Sequence, residues 1–344
     1  MRLCAATLPS ILLAAVACTR PAPPPAGPAS DERAVDRGGA AAPPERRGEP
    51  QHAMAASGAP AAPRAPAEVT PAAPAAPVAP PYDLAKDVAA RKQKAKTELG
   101  KDVETRTVGE VYVLIGPRGF GGQAFAQSAS LVESAVTAYM NGRFKTAPKE
   151  AISVYLFGDA SSYGAYCQKA FGEPCISIYG FYRHDVRAMV MNAGLGLGTL
   201  THELVHPIVE SDFPQAPTWI NEGIASLFEA PMIPKRGEIH GGKNWRHPRL
   251  LRGLASPAER GEARLDRYFT MPDEQFREHH EDLHYAGARY VCQWLDQQNK
   301  LWPFYQAWRD GYDDDKTGEK AFAKVMGRTP AEVHDTWERW VRAL

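Results

Sequence analysis

The chain has 344 residues, and 40 Lys and Arg balance 40 Asp and Glu, which argues against nucleic-acid binding through bulk positive charge. No run reaches the roughly 20 apolar residues that a membrane-spanning helix needs. Residues 21–81 hold 16 Pro and 20 Ala, whereas residues 82–344 hold every aromatic and only 13 Pro, so two kinds of chain are joined near Tyr82.

At the start, Met1-Arg2 and the apolar run Leu8 to Ala17 form the charge-then-apolar pattern of a signal peptide over 1–17. The run ends in Ala15-Val16-Ala17-Cys18, which resembles the lipobox of bacterial lipoproteins, although Ala15 stands where Leu is usual. That resemblance implies lipid on Cys18 and an exported cell-envelope protein, directed to the outer membrane in a host with two membranes. Cleavage after Ala17 without lipid is the other reading. Residues 18–81 bury too little apolar surface to offset chain entropy, so they read as a disordered Pro/Ala-rich tether. Their six basic and six acidic residues make neither a polybasic arm nor an acidic tail.

The globular part is expected over 82–344. The spacing predicts a charged helix over 83–99, a strand from Val108 to Ile115, and a helix from Phe125 to Met140 ended by Asn141-Gly142. A strand from Ile152 to Phe157 and a helix from Ala160 to Phe171 follow. Ile176 to Tyr182 and Val186 to Asn192 read as a strand pair turned by Arg183-His184-Asp185. Helices over 198–210, 218–229, 282–298, 301–310, 317–326 and 330–343 complete an α+β fold, strands first and helices later. With export, Cys167 and Cys175 make a plausible disulfide closing a small loop, and Cys292 a buried free thiol.

Chemistry concentrates in Thr201-His202-Glu203-Leu204-Val205-His206. Residues four apart on a helix share one face, so His202 and His206 suit one zinc ion, with Glu203 beside it. Glu222, sixteen residues on at the start of a second helix, folds back as a third ligand. Two His and one Glu make a catalytic zinc set, which leaves the fourth position to water. Should Glu222 fail, Asp212 or Glu210 is next, although both read as solvated helix-end residues.

The segment His202 to His206 followed by Trp219-Ile220-Asn221-Glu222-Gly223-Ile224-Ala225 resembles the gluzincins, the peptidase MA-like superfamily of zinc metallopeptidases, and in particular poorly characterised bacterial members. The resemblance is strong over 186–229. It implies a zincin-like fold with a small N-terminal mixed sheet, an active-site helix and a helical C-terminal part. It implies one Zn2+ on His202, His206 and Glu222, with Glu203 as general base. The substrate would be a peptide or protein, cleaved as by an endopeptidase. Gly223 and Ala225 would let the two site helices approach, and Ala188 to Asn192 would be the edge strand that pairs with substrate. Tyr285 would donate to the oxyanion, with His284 as the alternative.

Three departures stand out. Pro207 directly follows the second ligand, so a kink is expected after His206. No GxMEN-like segment supports aminopeptidase activity. Ser226 stands where some relatives carry an Asp that orients a ligand His, which leaves that partner unassigned. Gly194-Leu195-Gly196-Leu197-Gly198 has GxGxG rather than dinucleotide spacing and reads as a turn, so no dinucleotide is expected. The basic stretch Lys235 to Arg252 reads as a solvated loop near the cleft, not a nucleic-acid patch. Two rival functions remain: a non-catalytic surface lipoprotein for binding or adhesion, and a hydrolase of cell-wall peptide cross-links.

Overall fold

The computed structural model describes residues 81–229 and 231–344. The signal peptide, Cys18 and the tether before Pro81 lie outside them. Among the described residues no helix is long and apolar enough to cross a membrane. The architecture is α+β: one five-stranded mixed sheet followed by a mostly helical remainder.

α1 (Leu84–Leu99) is capped by Asp83, whose carboxylate accepts from the Lys86 amide. β1 (Glu104–Val108) and β2 (Tyr112–Gly116) form an antiparallel hairpin. The single strand expected from Val108 to Ile115 is thus really the turn and second strand of this hairpin. Gly109 (φ 56°) and Glu110 (φ 66°) turn the chain in the left-handed region. Glu104-Thr-Arg-Thr carries little apolar signal because β1 is an edge strand with partly exposed faces.

α2 (Gly122–Met140) carries the chain to β3 (Ile152–Phe157), parallel to β2. α3 (Ala160–Phe171) starts at Asp159, which accepts from the Ser162 amide, and ends at left-handed Gly172. It leads to β4 (Gly180–Arg183) and β5 (Ala188–Asn192). Strand order is β1-β2-β3-β5-β4, with β3 and β5 parallel and β4 antiparallel to β5. The edge strand on this side is therefore β4, correcting the assignment to Ala188–Asn192. β5 holds two neighbours, and all five of its residues are buried. A strand buried along its whole length, apolar but for Asn192 at its end, marks an interior one.

Alternation divides the sheet. Leu114, Val154, Leu156, Met189 and Met191 face α2 and the helical half, while Val113, Ile115, Tyr155, Phe157 and Val190 face α1 and α3. Cys167 and Cys175 are disulfide-bonded, with Cα atoms 5.3 Å apart. Cys292 is a buried free thiol.

The helical half comprises α4 (Gly198–Glu203), α5 (Val205–Asp212), α6 (Thr218–Leu227), α7 (His247–Ala255), α8 (Asp273–Arg277), α9 (Glu281–Gln297), α10 (Leu301–Asp310), α11 (Glu319–Met326) and α12 (Pro330–Ala343). α7 replaces the last third of the expected solvated loop. His247, Leu250 and Leu254 are buried, and His247 Nε2 lies 2.7 Å from the Val341 carbonyl oxygen. The positive charges of that stretch are largely paired, Lys235 with Glu238, Arg246 with Glu229, and Arg249 with Glu259 and Asp282. α6 packs most closely on α9. A Cβ on Gly223 would lie 2.8 Å from Cys292 Sγ and 3.0 Å from the Ala288 carbonyl oxygen. Gly223 thus admits α9, rather than the His202 helix as expected.

Candidate metal centre

α4 follows β5 after one short turn, and polar bonds fix its position. Thr201 Oγ1 donates to the Phe228 carbonyl at 2.8 Å, and Tyr139 OH donates to the Thr201 carbonyl at 2.8 Å. The helix is interrupted at Leu204, inside the motif, not after His206 as expected. Pro207 has no amide to offer the Glu203 carbonyl four residues back, and its ring crowds that carbonyl. The disturbance therefore falls one turn upstream of the proline. Even so, the His202 and His206 rings lie side by side, edge to face, with centroids 5.0 Å apart.

Ligand atoms of His202, Glu203 and His206 all lie within 4.8 Å of one another. Glu222, near the start of α6, points into the same space. Its Oε2 is 3.4 Å from His202 Nε2 and 3.8 Å from His206 Nε2. That oxygen is buried and has no hydrogen-bond partner. Glu203 Oε2 is 3.7 Å from His206 Nε2. Asp212 is turned elsewhere, accepting from the Lys145 and Thr146 amides and pairing with Arg309. Glu210 lines the cleft and accepts from Tyr182 OH.

Three partners escaped the sequence reading. His206 Nδ1 lies 3.0 Å from Asn221 Oδ1. His202 Nδ1 is 3.4 Å from Glu229 Oε1, too long for a well-formed hydrogen bond, so this contact is mainly electrostatic. Glu229 is in turn held by Arg246, through Nη2 at 2.6 Å and Nε at 2.9 Å, and by Asn244 Nδ2 at 3.1 Å. Arg277 Nη2 donates to Glu222 Oε1 at 2.7 Å. Asn221, a polar residue beside Glu222 in an apolar helix, carried a usable signal. Glu229 and Arg277 carried none.

Charge follows geometry. Burial opposes ionisation of His202, but Glu222 and Glu229 outweigh it and push its pKa up to about 10. Burial likewise opposes charge on Glu222, yet His206, His202 and Arg277 hold its carboxyl well below the usual range. Glu203 moves the other way, raised chiefly by burial.

Tyr285 lines the same cleft, and its hydroxyl accepts from Arg277 Nη1 at 3.1 Å. Burial and the Glu222 charge raise its pKa, so the phenol stays protonated. His284 is turned away from the cleft, with Nδ1 3.0 Å from the Phe276 carbonyl oxygen and Nε2 3.5 Å from Glu262. The cleft encloses about 1060 Å³. No protein-family model matches the chain, and the curated proteins include no significant match to it.

Proposed function

We propose that the chain is a zinc-dependent peptide-bond hydrolase, an endopeptidase of zincin-like fold, in which His202, His206 and Glu222 hold the metal. The observation that carries this reading is the meeting of two imidazole nitrogens on Glu222 Oε2, a buried oxygen with no donor. A buried carboxylate oxygen left unpaired is costly, and a divalent cation among these donors satisfies it. The donor set fits zinc: two imidazoles and one carboxylate, with their outer nitrogens turned to Asn221 and Glu229. When bound, zinc supplies Lewis acidity toward water and an amide carbonyl.

The chain's own groups would do the rest. Burial raises Glu203 toward the range where a carboxylate accepts a proton from water and returns it to the leaving amine. Tyr285 and Arg277, both bordering Glu222, would present donors to a developing oxyanion. Edge strand β4 would pair with an extended peptide. On the same reading the domain works outside the cytoplasm, carried by lipid on Cys18 and the Pro/Ala-rich tether.

Metal analysis of the purified protein should find close to one zinc per chain. Glu203→Gln should keep that zinc while hydrolysis of a generic protein substrate falls about 10²–10⁴-fold. A wild-type protein without zinc under native conditions would end the proposal.

A further inference from the structure

Among the described residues eight large apolar side chains stand well exposed, and four of them, Ile176, Tyr179, Leu195 and Trp245, line the cleft that holds His202 and Glu203. Ile176 is 72% exposed and Trp245 64%. Apolar side chains gathered in this way mark contact surfaces.

The backbone under Ile176 and Tyr179 is held in place at four points. Cys175 is bonded to Cys167 of α3. The Ser177 carbonyl accepts from Tyr163 OH at 2.7 Å, the Ile178 carbonyl from Asn192 Nδ2 at 2.9 Å, and the Tyr179 carbonyl from the Asn192 amide at 2.8 Å. One disulfide and three successive carbonyls thus prevent this segment from turning its side chains inward. The segment runs straight into β4, whose Gly180, Phe181 and Tyr182 also line the cleft. The shape selects the occupant. A bilayer or a second globular copy contacts convex or flat surfaces, whereas these side chains sit around a concave cleft, which an extended peptide can enter.

We propose that Ile176, Tyr179 and Leu195, joined by Trp245, form the specificity-determining wall of the site, taking bulky aliphatic or aromatic side chains of a peptide laid along β4. This rests on the hydrolase reading of the same cleft. Preorganised backbone makes such a wall selective, because little ordering entropy remains to be lost on binding.

The test uses the full chain carrying Glu203→Gln and a series of fluorescent peptides with Leu or Phe exchanged for Ser at each position in turn. Anisotropy should show the apolar peptides binding about 10-fold tighter or more at one or two positions, and Ile176→Ser with Leu195→Ser should reduce that ratio below about 2-fold. Zinc content and thermal midpoint should not move. If the double variant does not fold, Trp245→Ser, on a separate segment, should lower the ratio in the same direction. A uniform affinity across the series overturns the proposal, as does a preference that survives the substitutions. Binding to phosphatidylglycerol vesicles, or self-association, that these substitutions abolish would assign the wall to lipid or to a second copy and overturn it equally. Cleavage without apolar preference removes only the wall. Apolar preference in a wild-type chain that neither binds zinc nor cleaves removes only the hydrolase reading.

Discussion

His202 leans on Glu229, seven positions beyond Glu222 and just past the end of α6. Ser226, four positions beyond Glu222, has a buried hydroxyl with no partner, so the carboxylate that faces the first imidazole comes from elsewhere in the chain. Burial opposes the charge on Glu229, but the Arg246 fork and His202 outweigh it and hold its carboxyl low. Glu229→Gln keeps the shape and removes the charge, and should weaken zinc about 10–100-fold in competition with a chelator. Arg246→Lys, which gives up the two-pronged grip but not the positive charge, should show a smaller loss. Zinc affinity unchanged in Glu229→Gln would reduce the contact to packing. His202, Glu203 and His206 were legible because helical period alone brings them together. Glu222 was legible as a carboxylate sixteen residues on at the start of the next helix, a reading the resemblance then supported. Glu229, Arg246 and Arg277 were not legible, since only tertiary folding brings residues 229, 246 and 277 beside one helix.

The same division holds for whole elements. α3, α10 and α12 fall where periodicity and turn residues place them, because each buries one clear face and has local stops, and β3 does so as a short β-rich run buried on both faces. The β1–β2 hairpin, the order of β4 and β5, and α7 were hidden. Pairing partners leave no mark within a strand, and basic residues on α7 mask its apolar side, which packs on α9 and α12. Gly223 shows how tightly the site depends on such packing. It sits beside Glu222, and α9 approaches closely enough that a methyl group would press on Cys292 Sγ and the Ala288 carbonyl. Gly223→Ala should destabilise the fold by about 1–3 kcal/mol in chemical denaturation, as overpacked cores do. Adding Cys292→Ala should recover part of that loss, because it frees the sulfur side but leaves the Ala288 backbone in place. A fully additive pair would mean that the two positions do not press on each other.

Across the whole molecule, composition changes at Tyr82, and the structure gives that residue a mechanical task. Tyr82 OH accepts from the Ala151 amide and donates to Asp87 Oδ2, each at 2.8 Å. Asp87 also meets Arg91 at 3.1 Å and Arg187 at 3.0 Å, and Arg91 reaches Ser153 on β3. α1 buries only Ala95 fully, so this polar knot carries much of its attachment to the sheet. Burial raises the Asp87 pKa, but Tyr82, Arg91 and Arg187 together bring it below the ordinary 3.8. A carboxyl with a depressed folded-state pKa stabilises fully above its ordinary value, and that contribution fades as pH falls through the folded one. Acidification should therefore loosen α1 ahead of α6 and α9, whose contacts are mainly apolar. Amide exchange, corrected for its intrinsic pH dependence, should show protection over 84–99 lost as pH falls below the ordinary carboxyl value of 3.8, while the α6–α9 pair stays protected. In Asp87→Asn, protection of 84–99 should already be reduced at neutral pH and change little on acidification. If α1 and the α6–α9 pair lose protection together, or if Asp87→Asn matches the wild type at every pH, the attachment is apolar after all and the knot around Tyr82 contributes little to it.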